Sequence, residues 1–244
     1  LATKLLAEAN CFFFNSESLN QKISHNFTHM QNILTQTINF VKKTLATAEA
    51  GHDWFHIERV YKTAQTINKT EKADVLVVAL AALLHDIADS KFNGGDEEIG
   101  PQKAGDFLAS IGVQPEIINE VKLIIKNLSF KASFGEINYA SKELDVVQDA
   151  DRLDAIGAIG IARAFTYGGF KNRVLYDPAI KPNLQMTKEE YKNTTAPTIN
   201  HFYEKLLLLK DLMKTETGKA MAQQRHDFML AYLDQFYAEW EGKK

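Results

Sequence analysis

Cysteine is nearly absent from the 244-residue sequence: Cys11 stands alone. No intrachain disulfide can form, and a zinc centre built on thiolates is excluded. This usage is consistent with a reducing compartment, and a cytoplasmic location is the expectation. An excess of positive charge is also missing, since 28 Lys and Arg stand against 31 Asp and Glu for a formal net charge of −3. That balance lacks the footprint of a surface that coats nucleic acid. No apolar run approaches the roughly 18 residues of a membrane span, so no membrane partner is expected. Period-two alternation, internal repeats and low-complexity tracts are absent as well. What is present is helical periodicity, with 45% hydrophobic residues, enough for a sizeable core.

The fold class read from this pattern is all-α. Residues 1–30 are uninformative; Met30 reads as a native start, with an extension upstream of it. Residues 31–244 read as one domain, with a core over about 51–165 and a helical C-terminal part over about 187–242. Gln31 to Ala50 carries Ile33, Ile38, Val41 and Leu45 at helical spacing, and Gly51 ends it. HDWFHIERVYKTAQTI is a second helix, placing His52 and His56 one turn apart. Asp74 to Asp89 is a third, and the Lys91–Glu98 stretch with its paired glycines is a loop. GPQKAGDFLASIGV and PEIINEVKLIIKNLSF are amphipathic, the latter opened by Pro115. After a loop from Phe130 to Asn138, ASKELDVVQDADRLDAIGAIGIARAF reads as helical, with small residues that let neighbours approach closely. Tyr167 to Met186 is irregular. Thr187 and Glu190 have the spacing of a capping box, and two long C-terminal helices follow.

The chain is organised around DVLVVALAALLHDIAD, an apolar run that closes with His85, Asp86 and Asp89 where Leu or Ala would continue the pattern. Buried charge has to be matched, and a metal ion does that well. On a helix Asp89 stands one turn from His85. The same residues also suit an ordinary polar helix C-terminus, where the dipole favours histidine. A metal site draws ligands from several elements, and His56, His85, Asp86 and Asp151 come from three separate helices. Two imidazoles and two carboxylates suit one divalent ion such as manganese, magnesium, iron, cobalt or nickel, with manganese favoured. Four protein ligands on an octahedral ion leave positions for water and substrate.

The segments GHDWFHIERV, LAALLHDIADSKF and QDADRLDAIGAIGIARAF, with RHDFMLAYLDQFYAEW near the end, resemble the signature segments of the HD-domain superfamily of metal-dependent phosphohydrolases, in its small bacterial branch. The resemblance covers about Gln31 to Gly242. It implies an HD-domain helical bundle with a C-terminal helical extension, and one metal held by His56, His85, Asp86 and Asp151. It also implies a bound water that attacks phosphorus. Asp89 occupies the place of the acidic residue that handles the water's proton in relatives, several of which have Glu there. No histidine lies between Asp86 and Asp151, which favours a mononuclear site.

Other residues compete for roles. His52 and Asp154 suit positions behind the ligands, and Asp53 suits a helix cap. Asp149 faces elsewhere, Arg59 braces a carboxylate, and His201 and His226 are ordinary interhelical or surface histidines. Lys91 is close to the site by sequence necessity and is placed with Asp89 in the catalytic group. Arg152, Arg163, Lys171 and Arg173 are candidate phosphate contacts, the last three forming a cover. The substrate class is a small-molecule phosphate ester or anhydride, a nucleotide, including cleavage of a triphosphate to monophosphate and pyrophosphate. The alternative is a metal- and nucleotide-binding sensor or scaffold with weak turnover. The oligomeric state is not legible.

Overall fold

Ten consecutive residues, Val75–Leu84, carry no polar side chain, and every one from Val77 to Leu84 is buried. A helix that is apolar all round belongs inside. The structure, a computed structural model, describes residues 27–46, 53–88, 98–128, 139–187, 190 and 194–244. Among these no strand occurs, and the chain is all-α. A helix over residues 27–44, α1, begins earlier than Gln31 and buries Ile33, Leu34 and Val41. Next come α2 (Trp54–Glu71), α3 (Val75–Leu84), α4 (Ile99–Ser110), α5 (Pro115–Leu128), α6 (Lys142–Asp154) and α7 (Gly157–Phe170). The C-terminal part holds α8 (Thr198–Glu204), a 3₁₀ helix over Leu206–Leu212, and α9 (Glu216–Trp240). None of these helices is long and apolar enough to cross a membrane.

α3 is the buried axis. It packs against α2, α5 and α6, while α2 and α6 also pack on each other. Local polar groups fix the register of α2 and α3. Asp53 caps α2 by accepting the His56 N–H at 3.0 Å, and Asp74 caps α3 by accepting those of Leu76 and Val77 at 2.9 Å each. Between them, Asn68 donates to the Ala73 carbonyl at 3.1 Å and accepts the Ala73 N–H at 2.8 Å. The turn from α2 to α3 is thereby set, and with it the relation of His56 to His85.

Three expected helices are divided or shortened. The Asp74–Asp89 helix stops at Leu84, with His85 as its cap; the His85 ring satisfies the Ala82 carbonyl and Ile87 N–H closes back on Leu84 at 3.2 Å. The segment beginning at Ala140 breaks between Asp154 and Gly157, whose φ of +75° favours glycine. The helix containing Leu206–Leu209 becomes 3₁₀, because four leucines in a row cannot share one α-helical stripe. A three-residue period buries Leu206 and Leu209 and leaves Leu208 exposed. At Tyr167–Phe170 the helix α7 runs four residues into the stretch expected to be irregular. The Thr187–Glu190 capping bonds form: Thr187 N–H donates to Glu190 Oε2 at 2.7 Å, and Glu190 N–H donates to Thr187 Oγ1 at 3.2 Å.

Candidate metal centre

His56 lies in the first turn of α2, His85 and Asp86 follow the end of α3, and Asp151 lies on α6. Packing of these helices brings the four side chains together. His56 Nε2 is 3.2 Å from His85 Nε2, 3.6 Å from Asp86 Oδ2 and 3.5 Å from Asp151 Oδ1. His85 Nε2 is 3.8 Å from each of those carboxylate oxygens. Donor atoms about 2.1 Å from one ion lie roughly 3.0 Å apart at right angles and 3.4 Å apart at tetrahedral angles, so this is the spacing of a ligand set. His56, His85 and Asp86 offer donor atoms that all lie within 4.8 Å of one another. Both imidazoles are 2% exposed, whereas Asp86 and Asp151 are 25% and 37% exposed, so the group opens to solvent on its carboxylate side.

The partners of the other ring nitrogens decide whether a cation fits. His85 Nδ1 is 2.9 Å from the Ala82 carbonyl oxygen, which can only accept, so Nδ1 carries the proton. His56 Nδ1 is 2.7 Å from Asp154 Oδ2. Burial pushes the Asp154 carboxyl up, but hydrogen bonds from His56 and Arg59 and the charges of His56 and Arg163 outweigh it and hold the group well below the usual carboxylate range. Facing an ionised carboxylate, His56 Nδ1 also carries its proton. In the neutral rings both Nε2 lone pairs therefore point at each other across 3.2 Å, with two carboxylates beside them. Electron-rich donors 3.2–3.8 Å apart repel, and a cation among them reverses the sign of the interaction. The donor set fits a divalent metal ion.

Behind His56 stands a charged network centred on Asp154. Arg59 donates to it through Nε at 2.6 Å and Nη2 at 3.0 Å, and this bond raises the Arg59 pKa. Arg163 Nη1 donates to Asp154 Oδ2 and, at 3.2 Å, to the Asp154 carbonyl. Asp154 thus links the His56 ring to the Arg59 guanidinium.

Asp89, Lys91 and His52 lie outside the described residues. The buried Arg152 guanidinium donates to the Leu212 carbonyl, and burial lowers its pKa. Asp149 does face elsewhere. Its buried carboxylate accepts the N–H groups of Lys214 and Thr215, at 2.9 and 2.8 Å, and the Thr215 hydroxyl at 2.8 Å, just before α9. Lys171 and Arg173 both lie over Tyr167, 5.7 Å from its ring centre, and Arg173 also donates to the Thr194 carbonyl at 2.6 Å. Arg225, whose Nη1 donates to the Leu153 carbonyl, was not singled out by the sequence. No spacing rule links it to α6, from which it is far removed along the chain.

Comparison with known proteins bears on this arrangement. The family described as HD domain matches residues 54–156. The uncharacterized protein YpgQ of Bacillus subtilis (strain 168) is 37% identical over 209 residues, covering 85% of this chain and 93% of YpgQ. The crystal structure of YpgQ in complex with ADP has a TM-score of 0.68 at 36% identity, covering 86% of this chain and 96% of that one. A Lactobacillus plantarum crystal structure gives a TM-score of 0.74 at 41% identity, covering 86% and 97% of the two chains. An HD-superfamily hydrolase from Bacillus thuringiensis gives 0.70 at 43% identity, covering 87% and 98%.

Proposed function

The chain belongs to the HD-domain superfamily, and from that membership we propose that it is a metal-dependent phosphohydrolase acting on a nucleotide. The observation that carries the reading is the meeting of two imidazole Nε2 atoms with two carboxylates on an open face. His56, His85, Asp86 and Asp151 are the proposed ligands of one divalent ion, manganese for preference. Such an ion supplies the charge that polarises a phosphoryl oxygen and makes water a nucleophile near neutral pH. Asp154, with Arg59 and Arg163, holds the His56 ring in the tautomer that presents Nε2.

Charge balance favours an anionic substrate. Asp86, Asp151 and Asp154 are offset by Arg59 and Arg163 together with a divalent ion, leaving the centre net positive. Arg163 lies at its edge, 28% exposed, and Lys171 lies about 12 Å further along α7, a span that suits a phosphate chain and its nucleoside. Lys171 and Arg173 are proposed to meet that far end. Asp89 is proposed to take the proton of the attacking water, with Lys91 beside it. The nucleotide assignment draws on YpgQ, whose crystal structure holds ADP.

The test is a screen of metal-stripped protein with manganese, magnesium, cobalt or nickel against nucleoside mono-, di- and triphosphates, reading phosphate and pyrophosphate separately. Pyrophosphate from triphosphates is the expected product; phosphate from monophosphates makes the enzyme a nucleotidase. Saturable binding of metal and nucleotide without product from any combination overturns the hydrolase reading in favour of a sensor.

A further inference from the structure

The helix α6 faces two ways. Asp151 and Asp154 meet the metal centre, while Asp149 and Arg152 hold the segment that leads into α9. Between the two sets, the Leu153 carbonyl accepts the Ile156 N–H at 3.2 Å as α6 ends, and a carbonyl oxygen has room for a second donor. Arg225, reaching in from α9, donates to it through Nη1. A cation is well placed at a helix C-terminus.

The surroundings of Arg225 are built around it. Its aliphatic stem passes Gly157, the first residue of α7, where an added Cβ would lie 2.9 Å from Arg225 Cγ. Glycine at that position thus permits both the positive φ and the passage of the arginine. Burial lowers the Arg225 pKa, and the charge of Asp154 opposes that effect, which places the guanidinium within electrostatic reach of the carboxylate behind His56. The Leu153 carbonyl belongs to the peptide that leads directly into Asp154. Turning that peptide turns the Asp154 side chain, whose bond to His56 is only 2.7 Å long.

We infer that Arg225 is a positioning residue of the metal centre: from α9 it fixes the last peptide of α6, and through it the Asp154 carboxylate that orients His56. The inference rests on the metal-binding reading above. It makes the C-terminal helix part of the centre's support, although α9 lies beyond the residues that match the HD domain.

The experiment measures Mn²⁺ affinity on the full chain from the electron paramagnetic resonance signal of unbound Mn²⁺, for wild type, R225M, D154N and D154N/R225M. The expected result is a loss of about tenfold in R225M, with unchanged helical circular dichroism. D154N loses at least as much, and the double variant binds no worse than D154N alone to within about twofold. A purely structural role would instead multiply the two losses. Wild-type affinity in R225M, or multiplied losses in the double variant, overturns the inference. Should R225M not fold, R225K and D154N/R225K carry the same cycle, since lysine keeps the stem and charge; a smaller loss that again vanishes beside D154N is expected, and no loss overturns the role. Failure of the metal-binding reading is visible in wild type alone, as absence of Mn²⁺ binding.

Discussion

Replacing Asp154 by alanine tests the support of the centre separately from its ligands. The Asp154 side chain is 5% exposed and accepts from His56 Nδ1, twice from Arg59, and from Arg163. Its removal takes the shared carboxylate away from two guanidiniums and one imidazole N–H. Breaking a fully buried charge network costs about 3–5 kcal/mol. Arg59 and Arg163 are 34% and 28% exposed and recover part of their hydration, so the lower end applies, about 3 kcal/mol. In a chain of this size that corresponds to a fall of roughly 9 °C in Tm. Melting is followed by circular dichroism in excess chelator, so that metal loss does not enter the comparison. Mn²⁺ affinity, measured separately, should fall about 10–100-fold, because the His56 tautomer is no longer held. A D154A protein that melts with wild type in chelator and binds Mn²⁺ normally would refute the network as the support of His56.

Metal itself should stabilise the fold. At 100 times Kd, Mn²⁺ should add about 2.7 kcal/mol, or roughly 8 °C in Tm, and H85A should abolish that increment while remaining folded; an equal increment in H85A contradicts the ligand assignment. His201 gives a pH signature. Burial, with Lys205 and Arg173 nearby, pushes its pKa from 6.5 down to about 3, so the folded chain holds the ring neutral where the unfolded chain protonates it. That contribution is full above 6.5 and is lost as pH falls toward about 3. Denaturant titrations of H201Q between about pH 4 and 6 should therefore show a slope of stability against pH flatter than wild type by about one proton, and equal slopes would contradict it. In α7, a Cβ on Gly160 would stand 2.2 Å from the Ala155 carbonyl oxygen. G160A should accordingly lose about 2 kcal/mol in chemical denaturation; a neutral substitution would show that the α6–α7 turn yields freely.

The four proposed ligands stood out in the sequence because they interrupt apolar helical patterns and fall in recognisable segments: His56 within an amphipathic stripe, His85-Asp86 closing an all-apolar helix, and Asp151 among core positions. Asp154 and Arg59 were legible for the same reason, lying about one turn from proposed ligands. Adjacency of Arg152 to Asp151 along the chain says nothing of side; successive helical residues point about 100° apart, and Arg152 turns to Leu212. Arg225 and the capping of the α9 entrance by Asp149 depend on contacts between distant segments, which leave no periodic trace. Helix ends were harder than helices. Histidine at 85 fits a helix interior as well as a cap, and only its bond to Ala82 decides between them. The break before α7 turns on the φ of Gly157, which a sequence containing several glycines does not single out.

The central claim is that His56, His85, Asp86 and Asp151 form one metal centre on which phosphohydrolysis depends. It is tested most directly by the metal content and nucleotide turnover of D86A beside wild type, both loaded with Mn²⁺ and freed of excess ion. The account predicts one tightly held ion and product release for wild type. For D86A it predicts neither, with the helical spectrum retained. A D86A protein that keeps its ion and turns over nucleotide at the wild-type rate would contradict it.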